Sequence, residues 1–218
     1  MIPRPIGGII FDMDGVIIDS HPAHRAAWKG FLESVGITIS GEELEFILDG
    51  RKREEILKHF LGELGAEQIA EYGNRKDELL RTRRAEIQPV PGVIEFLENL
   101  SCSGIPAALA TSAGRRRVQG TLQELGLNRY FQTIVTGDDV TAGKPDPAIY
   151  RLAAQRLQQD PTSLIAVEDA VSGVKSATSA GMRCLGVADS ERAASLRAAG
   201  AYAVIEDFRS FSLDQLKT

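Results

Sequence analysis

Two aspartates, Asp12 and Asp14, stand directly after the apolar run Gly7–Phe11, and Gly15 follows them. A second acidic pair, Glu168–Asp169, follows the apolar run Leu164–Val167. Between these pairs lie two hydroxyls, Thr111 and Ser112, after Ile105–Ala110, and Lys144 in the segment Gly143-Lys144-Pro145-Asp146-Pro147. If the chain brings such carboxylates together, they repel one another unless protonated or neutralised by a cation. A hard divalent ion with oxygen ligands meets that need, and Mg²⁺ commonly brings phosphate with it.

These residues share one kind of position, the end of a strand. Short apolar runs at Gly7–Phe11, Ile105–Ala110, Thr133–Thr136, Leu164–Val167, Arg183–Val187 and near Ala203–Ile205 read as strands. Amphipathic stretches at Val93–Leu100, Arg115–Leu125, Asp146–Leu157, Val171–Ala180 and Glu191–Ala199 alternate with them. That alternation predicts an α/β fold, a doubly wound parallel sheet with helices on both faces. Right-handed crossovers put every strand's carboxyl end on one edge, where such folds bind ligands. The residues just past those ends are Asp12 and Asp14, Thr111 and Ser112, Gly137 and Asp138, and Glu168 and Asp169. From about His21 to Glu86 the texture is purely helical: Trp28, Phe31, Leu32 and Val35, then Leu57, Phe60, Leu61 and Leu64, recur at i, i+3, i+4, i+7. Glycines 36, 50, 65 and 73 divide this stretch into a bundle of about four helices, with Trp28 in its core. Simpler duties are expected beside the chemical ones, Thr111–Ser112 and one of Glu168 and Asp169 serving as helix N-caps.

Strand–Asp12-Met13-Asp14-Gly15-Val16, Thr111, Gly143-Lys144-Pro145-Asp146-Pro147 and Glu168-Asp169-Ala170-Val171-Ser172-Gly173 resemble, in order, the four motifs of the haloacid dehalogenase (HAD) superfamily. The resemblance implies a Rossmann-like core, residues 1–18 and 88–218, with an inserted helical cap, residues 19–87. It implies that Asp12 is a nucleophile forming an aspartyl-phosphate, and that Asp14 is the general acid/base. Thr111 would hydrogen-bond the transferring phosphoryl group, and Lys144 would offset negative charge in a loose transition state. Mg²⁺ would be held by Asp12, Asp14 through its backbone carbonyl, Asp169, and Glu168 either directly or in support. Gly15 leaves room for the chain to turn away beside the phosphate, and Ser112 lies next to Thr111 at the substrate.

Within the superfamily the chain is similar to β-phosphoglucomutases and sugar-phosphate phosphatases. His24, ahead of Ala27-Trp28-Lys29, matches a cap-helix histidine that couples closure to catalysis. Arg53 matches the cap arginine that holds a substrate's second phosphate, and Lys76 fits a further cap position. Departures point away from the mutases. Asp49 stands where they have a lysine, and Ala113, Gly114 and Arg115 stand where a serine, lysine and asparagine hold the distal phosphate; Arg115 is a replacement cation suited to bidentate contact. A mutase must bind a bisphosphate in two orientations and needs those contacts more than a one-way hydrolase does. The reading is therefore a phosphatase of a small phosphorylated metabolite. A β-phosphoglucomutase is the first alternative and a non-catalytic phospho-ligand sensor the second, the latter opposed by the intact motif residues.

Bulk properties agree. A net charge of −5 and only one short basic run, Arg115–Arg117, give no footprint for nucleic acid. No apolar stretch approaches the roughly 20 residues that cross a bilayer, and Met1–Gly8 lacks a signal peptide's apolar region. Cys102 and Cys184 form no metal or disulfide pattern. A cytoplasmic protein is expected, monomeric, with a dimer as the alternative.

Overall fold

A computed structural model describes residues 6–217, so the start of the 1–18 segment and part of the Met1–Gly8 stretch lie outside the described residues. In chain order the elements are β1 (Gly8–Phe11), β2 (Ile18–Asp19), α1 (His21–Ser34), α2 (Gly41–Leu48), α3 (Arg53–Leu61) and α4 (Ala66–Arg81). Then come β3 (Gln88–Pro89), α5 (Val93–Cys102), β4 (Ala107–Ala110), α6 (Arg115–Glu124), β5 (Thr133–Val135) and α7 (Ala148–Leu157). The chain closes with β6 (Leu164–Glu168), α8 (Val171–Ser179), β7 (Arg183–Val187), α9 (Ser190–Ala199) and β8 (Ala203–Ile205). No helix among the described residues is long and apolar enough to cross a membrane.

Six strands form one sheet in the order β5-β4-β1-β6-β7-β8, and every pairing in it is parallel. Alternate residues face opposite sides, as the pleat requires. Ile9, Phe11, Leu109 and Val167 pack with α5 and α6, while Ile10, Ala108, Ala110 and Ala166 pack with α7 and α8. Both faces are covered, which explains why the strands read as unbroken apolar runs.

The order also sets the place of the site. From β1 the chain runs outward through β4 to β5, then returns to lay β6 on β1's other side. That reversal is a topological switch point, with its crevice outside the carboxyl ends of β1 and β6. Phe11 pairs with Leu109 and with Val167. One residue further, Asp12 stands level with Ala110 and Glu168, and its N–H donates to the Val167 carbonyl (2.9 Å).

Helices α1–α4 enclose an apolar cluster of their own, built from Trp28, Phe31, Leu32, Ile47, Ile56 and Leu57. A Ser40–Glu43 capping box opens α2. Ala23 and Ala27 of α1 and Leu80 of α4 belong instead to the sheet's cluster, so the two outer helices root the insertion. Between the two bodies runs an antiparallel ribbon, β2 with β3, pairing Ile18 with Pro89. At two residues per strand it has no periodicity for the sequence to reveal.

Candidate active site

Lys144 organises the buried centre. Its ammonium, 2% exposed as a residue, donates to Asp12 Oδ1 (2.6 Å), Glu168 Oε1 (2.5 Å) and the Ala110 carbonyl (3.2 Å). These are the three positions that the register of β1, β4 and β6 sets side by side. Burial works against the charged lysine, but the Asp12 and Glu168 carboxylates overcome it and hold the ammonium above its usual range. Burial acts in the other direction on Asp12, raising its carboxyl well above the usual value; Lys144 opposes this, and Glu168 and Asp169 reinforce it.

Glu168 has no acceptor capacity left. Oε1 takes the Tyr150 hydroxyl (2.7 Å) as well as Lys144, and Oε2 takes the backbone N–H groups of Asp169 (3.1 Å) and Ala170 (3.3 Å). Gly173 is obligatory here, because a Cβ would fall 2.0 Å from the Glu168 carboxyl.

Asp169 is the opposite case. Its Oδ2 is buried without a hydrogen bond of good geometry, although His21 Nε2 lies at 3.1 Å and Arg192 Nη1 at 3.8 Å. Arg192 donates instead to the Asp169 backbone carbonyl (2.8 Å). Asp12, Glu168 and Asp169 each offer an oxygen within 4.8 Å of the others. Lys144 serves Asp12 and Glu168 while His21 and Arg192 flank Asp169, and the oxygens gathered here, one of them buried without a hydrogen bond, suit a hard divalent cation. Gly15, at φ +76°, turns the chain over this spot; a Cβ there would meet Asp169 Oδ2 at 2.4 Å.

Asp14 lies apart from that cluster. Its Oδ1 accepts from Ser20 Oγ (2.5 Å), and both oxygens accept from the Arg117 guanidinium (Nη1 to Oδ2, 2.9 Å; Nη2 to Oδ1). His24 Nε2 is 3.7 Å from Oδ1, and its Nδ1 is 3.2 Å from Lys76 Nζ. Burial, then the charges of Lys76 and Arg117, pushes His24 well below its usual value, so Nδ1 can accept from the lysine. Lys76 is buried over the Trp28 ring, and desolvation brings its ammonium down to about 8.

The structure thus gathers Asp12, Lys144, Glu168 and Asp169 in one cluster, and Asp14, His24 and Lys76 in a second. Thr111 is buried at the end of β4, its hydroxyl accepting from Ala113 N–H (3.2 Å). Ser112 Oγ donates to the Gly50 carbonyl of the insertion (2.6 Å). Two expected substrate cations have other partners: Arg53 pairs with Asp77 (2.7 Å), and Arg115 with Asp139 (2.8 Å).

The capping duties need correction. The N-cap of α8 is Ala170 and that of α6 is Gly114, and neither Thr111, Ser112, Glu168 nor Asp169 caps a helix. Asp49 does the work for α8 from across the cleft. Its carboxylate accepts from Ser172 N–H (3.0 Å), and its carbonyl from Ser172 Oγ. Lys52 adds bonds to the carbonyls of Val140 (2.5 Å) and Thr141 (3.1 Å). Sequence reading missed His21, Tyr150 and Arg117. Arg117 was visible only as part of a basic run, whose meaning depends on the long-range contact that the fold creates.

Sheet, insertion and lysine–carboxylate cluster define the class: an α/β fold with a buried acidic cluster at the carboxyl edge of a parallel sheet, where such folds bind ligands. Comparison supplies the particular family. The family profile described as haloacid dehalogenase-like hydrolase matches residues 9–187. The "phosphorylated carbohydrates phosphatase" of Thermotoga maritima is 36% identical over 202 residues, 91% of this chain and 93% of that protein. The β-phosphoglucomutase of Bacillus subtilis is 34% identical over 190 residues, 82% of each. A solved β-phosphoglucomutase from Clostridium difficile superimposes with a TM-score of 0.87 at 26% identity, covering 97% of this chain and 96% of that one. The chain belongs to the haloacid dehalogenase-like hydrolases.

Proposed function

We propose that the protein is a Mg²⁺-dependent phosphatase that hydrolyses a small phosphorylated metabolite, foremost a sugar phosphate, through an aspartyl-phosphate on Asp12. The observation that carries the reading is the buried Lys144 bridging Asp12 and Glu168 beside the unsatisfied Asp169 Oδ2. In the first step the Asp12 carboxylate forms a bond to phosphorus as the bond to the leaving oxygen breaks, and Asp14 donates its proton to that oxygen. In the second, Asp14 takes a proton from water, the water oxygen bonds to phosphorus, and the acyl phosphate bond breaks to release phosphate. Thr111 and Ser112 orient the phosphoryl group, and Lys144 counters its charge. Asp12, Asp169 and the Asp14 backbone carbonyl would hold the Mg²⁺, which when bound neutralises phosphoryl oxygens; Glu168 keeps Lys144 and the backbone in place.

Residues 19–87 act as a cap over the 1–18 and 88–218 core, latched by the Asp49–Ser172, Gly50–Ser112 and Lys52 contacts. His24 and Lys76 face Asp14 from the cap, and Arg53 is the cap's outer cation. Hydrolase is favoured over mutase because Asp49 is a carboxylate committed to α8 and Arg115 is committed to Asp139. The carbohydrate class is supported by the relatives' names, and a cytoplasmic monomer suits a diffusible metabolite.

The test follows phosphate release from a panel of sugar and short-acid phosphates, with Mg²⁺ and with EDTA. Beside it runs conversion of β-glucose 1-phosphate to glucose 6-phosphate, primed with β-glucose 1,6-bisphosphate. Metal-dependent release without isomerisation is expected. Primed isomerisation that outpaces release would make the protein a mutase, and silence in both arms would favour the sensor.

A further inference from the structure

Arg117 has no place in the four motifs, yet it makes the closest contact of any cation with Asp14. Both of its terminal nitrogens donate to the carboxylate, from a residue 103 positions away, and the two side chains are only 18% and 24% exposed. Helix stability does not explain it. Arg115, Arg116 and Arg117 crowd the first turn of α6, which holds no acidic residue, and cations there oppose the helix dipole.

The grip conflicts with the first chemical step. To donate a proton to a leaving oxygen, Asp14 must turn a hydroxyl toward phosphorus, whereas here both of its oxygens accept from Arg117 and Ser20. Release has an electrostatic consequence. Arg117, Lys76 and Arg53 lie near one another and share two carboxylates, Asp14 and Asp77. If Asp14 leaves, Asp77 stays with Lys76 and Arg53, and the part-buried Arg117 guanidinium loses the carboxylate it grips. A sugar hydroxyl cannot replace that carboxylate, but a second anionic oxygen pair matches the same fork.

We propose that Arg117 is a specificity-determining gate: it holds Asp14 aside and releases it in exchange for a second anionic group, phosphate or carboxylate, carried by the phosphorylated substrate. The proposal rests on the reading of Asp14 as acid/base. Substrates with such a group recruit the acid/base as they bind, and monoesters with neutral tails do so poorly.

The experiment compares wild type, Arg117→Met and Arg117→Lys, each with Mg²⁺, on fructose 1,6-bisphosphate, 3-phosphoglycerate, glucose 6-phosphate and p-nitrophenyl phosphate. Wild type should favour the bisphosphate or the phosphorylated acid over glucose 6-phosphate, and the better of the two identifies the anion. Arg117→Met should raise KM for the favoured substrate by about 10- to 100-fold, the loss of charge-assisted hydrogen bonds. It should raise kcat for p-nitrophenyl phosphate, because Asp14 is no longer held. Arg117→Lys, which keeps charge but not the fork, should show a smaller KM rise confined to the same substrate; it decides the matter if the methionine variant does not fold. An equal loss on all four substrates would overturn the gate, as would a wild type that hydrolyses all of them without regard to the second anion. A wild type that hydrolyses none would instead overturn the phosphatase reading beneath it.

Discussion

The two walls of the cleft are built on different physics. On the core side, Asp12, Lys144, Glu168 and Tyr150 are buried, held at two adjacent strand ends, in the turn before α7 and in α7, and bonded to one another at 2.5–2.7 Å. On the outer side, Asp14 with Arg117 at the rim of the core, and Arg53 with Asp77 in the insertion, are part-exposed ion pairs drawn from separate elements. Low dielectric makes the first set strong and costly to disturb. Solvent access makes the second exchangeable. A rigid wall suits chemistry that every substrate shares, and an exchangeable wall suits choosing among substrates.

The sharpest way to break this contrast is Asp12→Asn. Turnover should fall by about 10⁴-fold or more, as loss of a nucleophile does, while circular dichroism and Tm stay near wild type; an active variant would dissolve the core wall's role. Lys144→Met should come next. It leaves Asp12 and Glu168 buried without their cation, so metal-free protein should lose about 3–5 kcal/mol of stability. In the presence of Mg²⁺, kcat should drop about 10²- to 10³-fold. Denaturant titration and phosphate release measure both, and a small change in each would mean that the wall is not cooperative.

Tyr150→Phe removes one of four bonds to Glu168, and a stability loss of about 1 kcal/mol with less than about tenfold effect on kcat is expected. The remaining prediction is a pH signature from Lys76. Lys76 in the folded state titrates near 8, below its usual 10.5. Between those values the unfolded chain binds more protons, so the penalty for burying the charge is full below about 8 and fades as pH rises toward 10.5. The stability of wild type relative to Lys76→Met should therefore increase across that window, and a flat difference would remove Lys76 from the buried cluster.

The same contrast governs what the sequence made legible. Among the described residues, the six strands of the main sheet and the five core helices were readable one by one, and the insertion's helices as a bundle of about four, because period and apolar runs record burial locally. Errors sit at ends. Ile105 read as strand, but its N–H closes the turn after α5 on Leu100, and β4 begins at Ala107. Asp146 read as helix, but its carboxylate accepts from Ala148 N–H and starts α7 two residues later. Asp12, Lys144 and Glu168 were legible because each sits in a motif, Asp12 and Glu168 at the end of a strand. Tyr150, His21 and Arg117 were not, since each owes its partner to a helix docking against a distant strand end or loop. Arg117 is the extreme case: composition marks it as surface charge, and only the packing of α6 against the loop after β1 shows its partner.

The most direct test of the account is to trap the phosphoenzyme. Wild type with Mg²⁺ and its best substrate would be acid-quenched during turnover, reduced with borohydride and digested, and the peptide spanning residues 9–25 analysed by mass spectrometry. The account predicts homoserine at position 12, the reduction product of an aspartyl-phosphate, and unmodified aspartate at position 14. Reduction at another residue, or none while phosphate is being released, would contradict it.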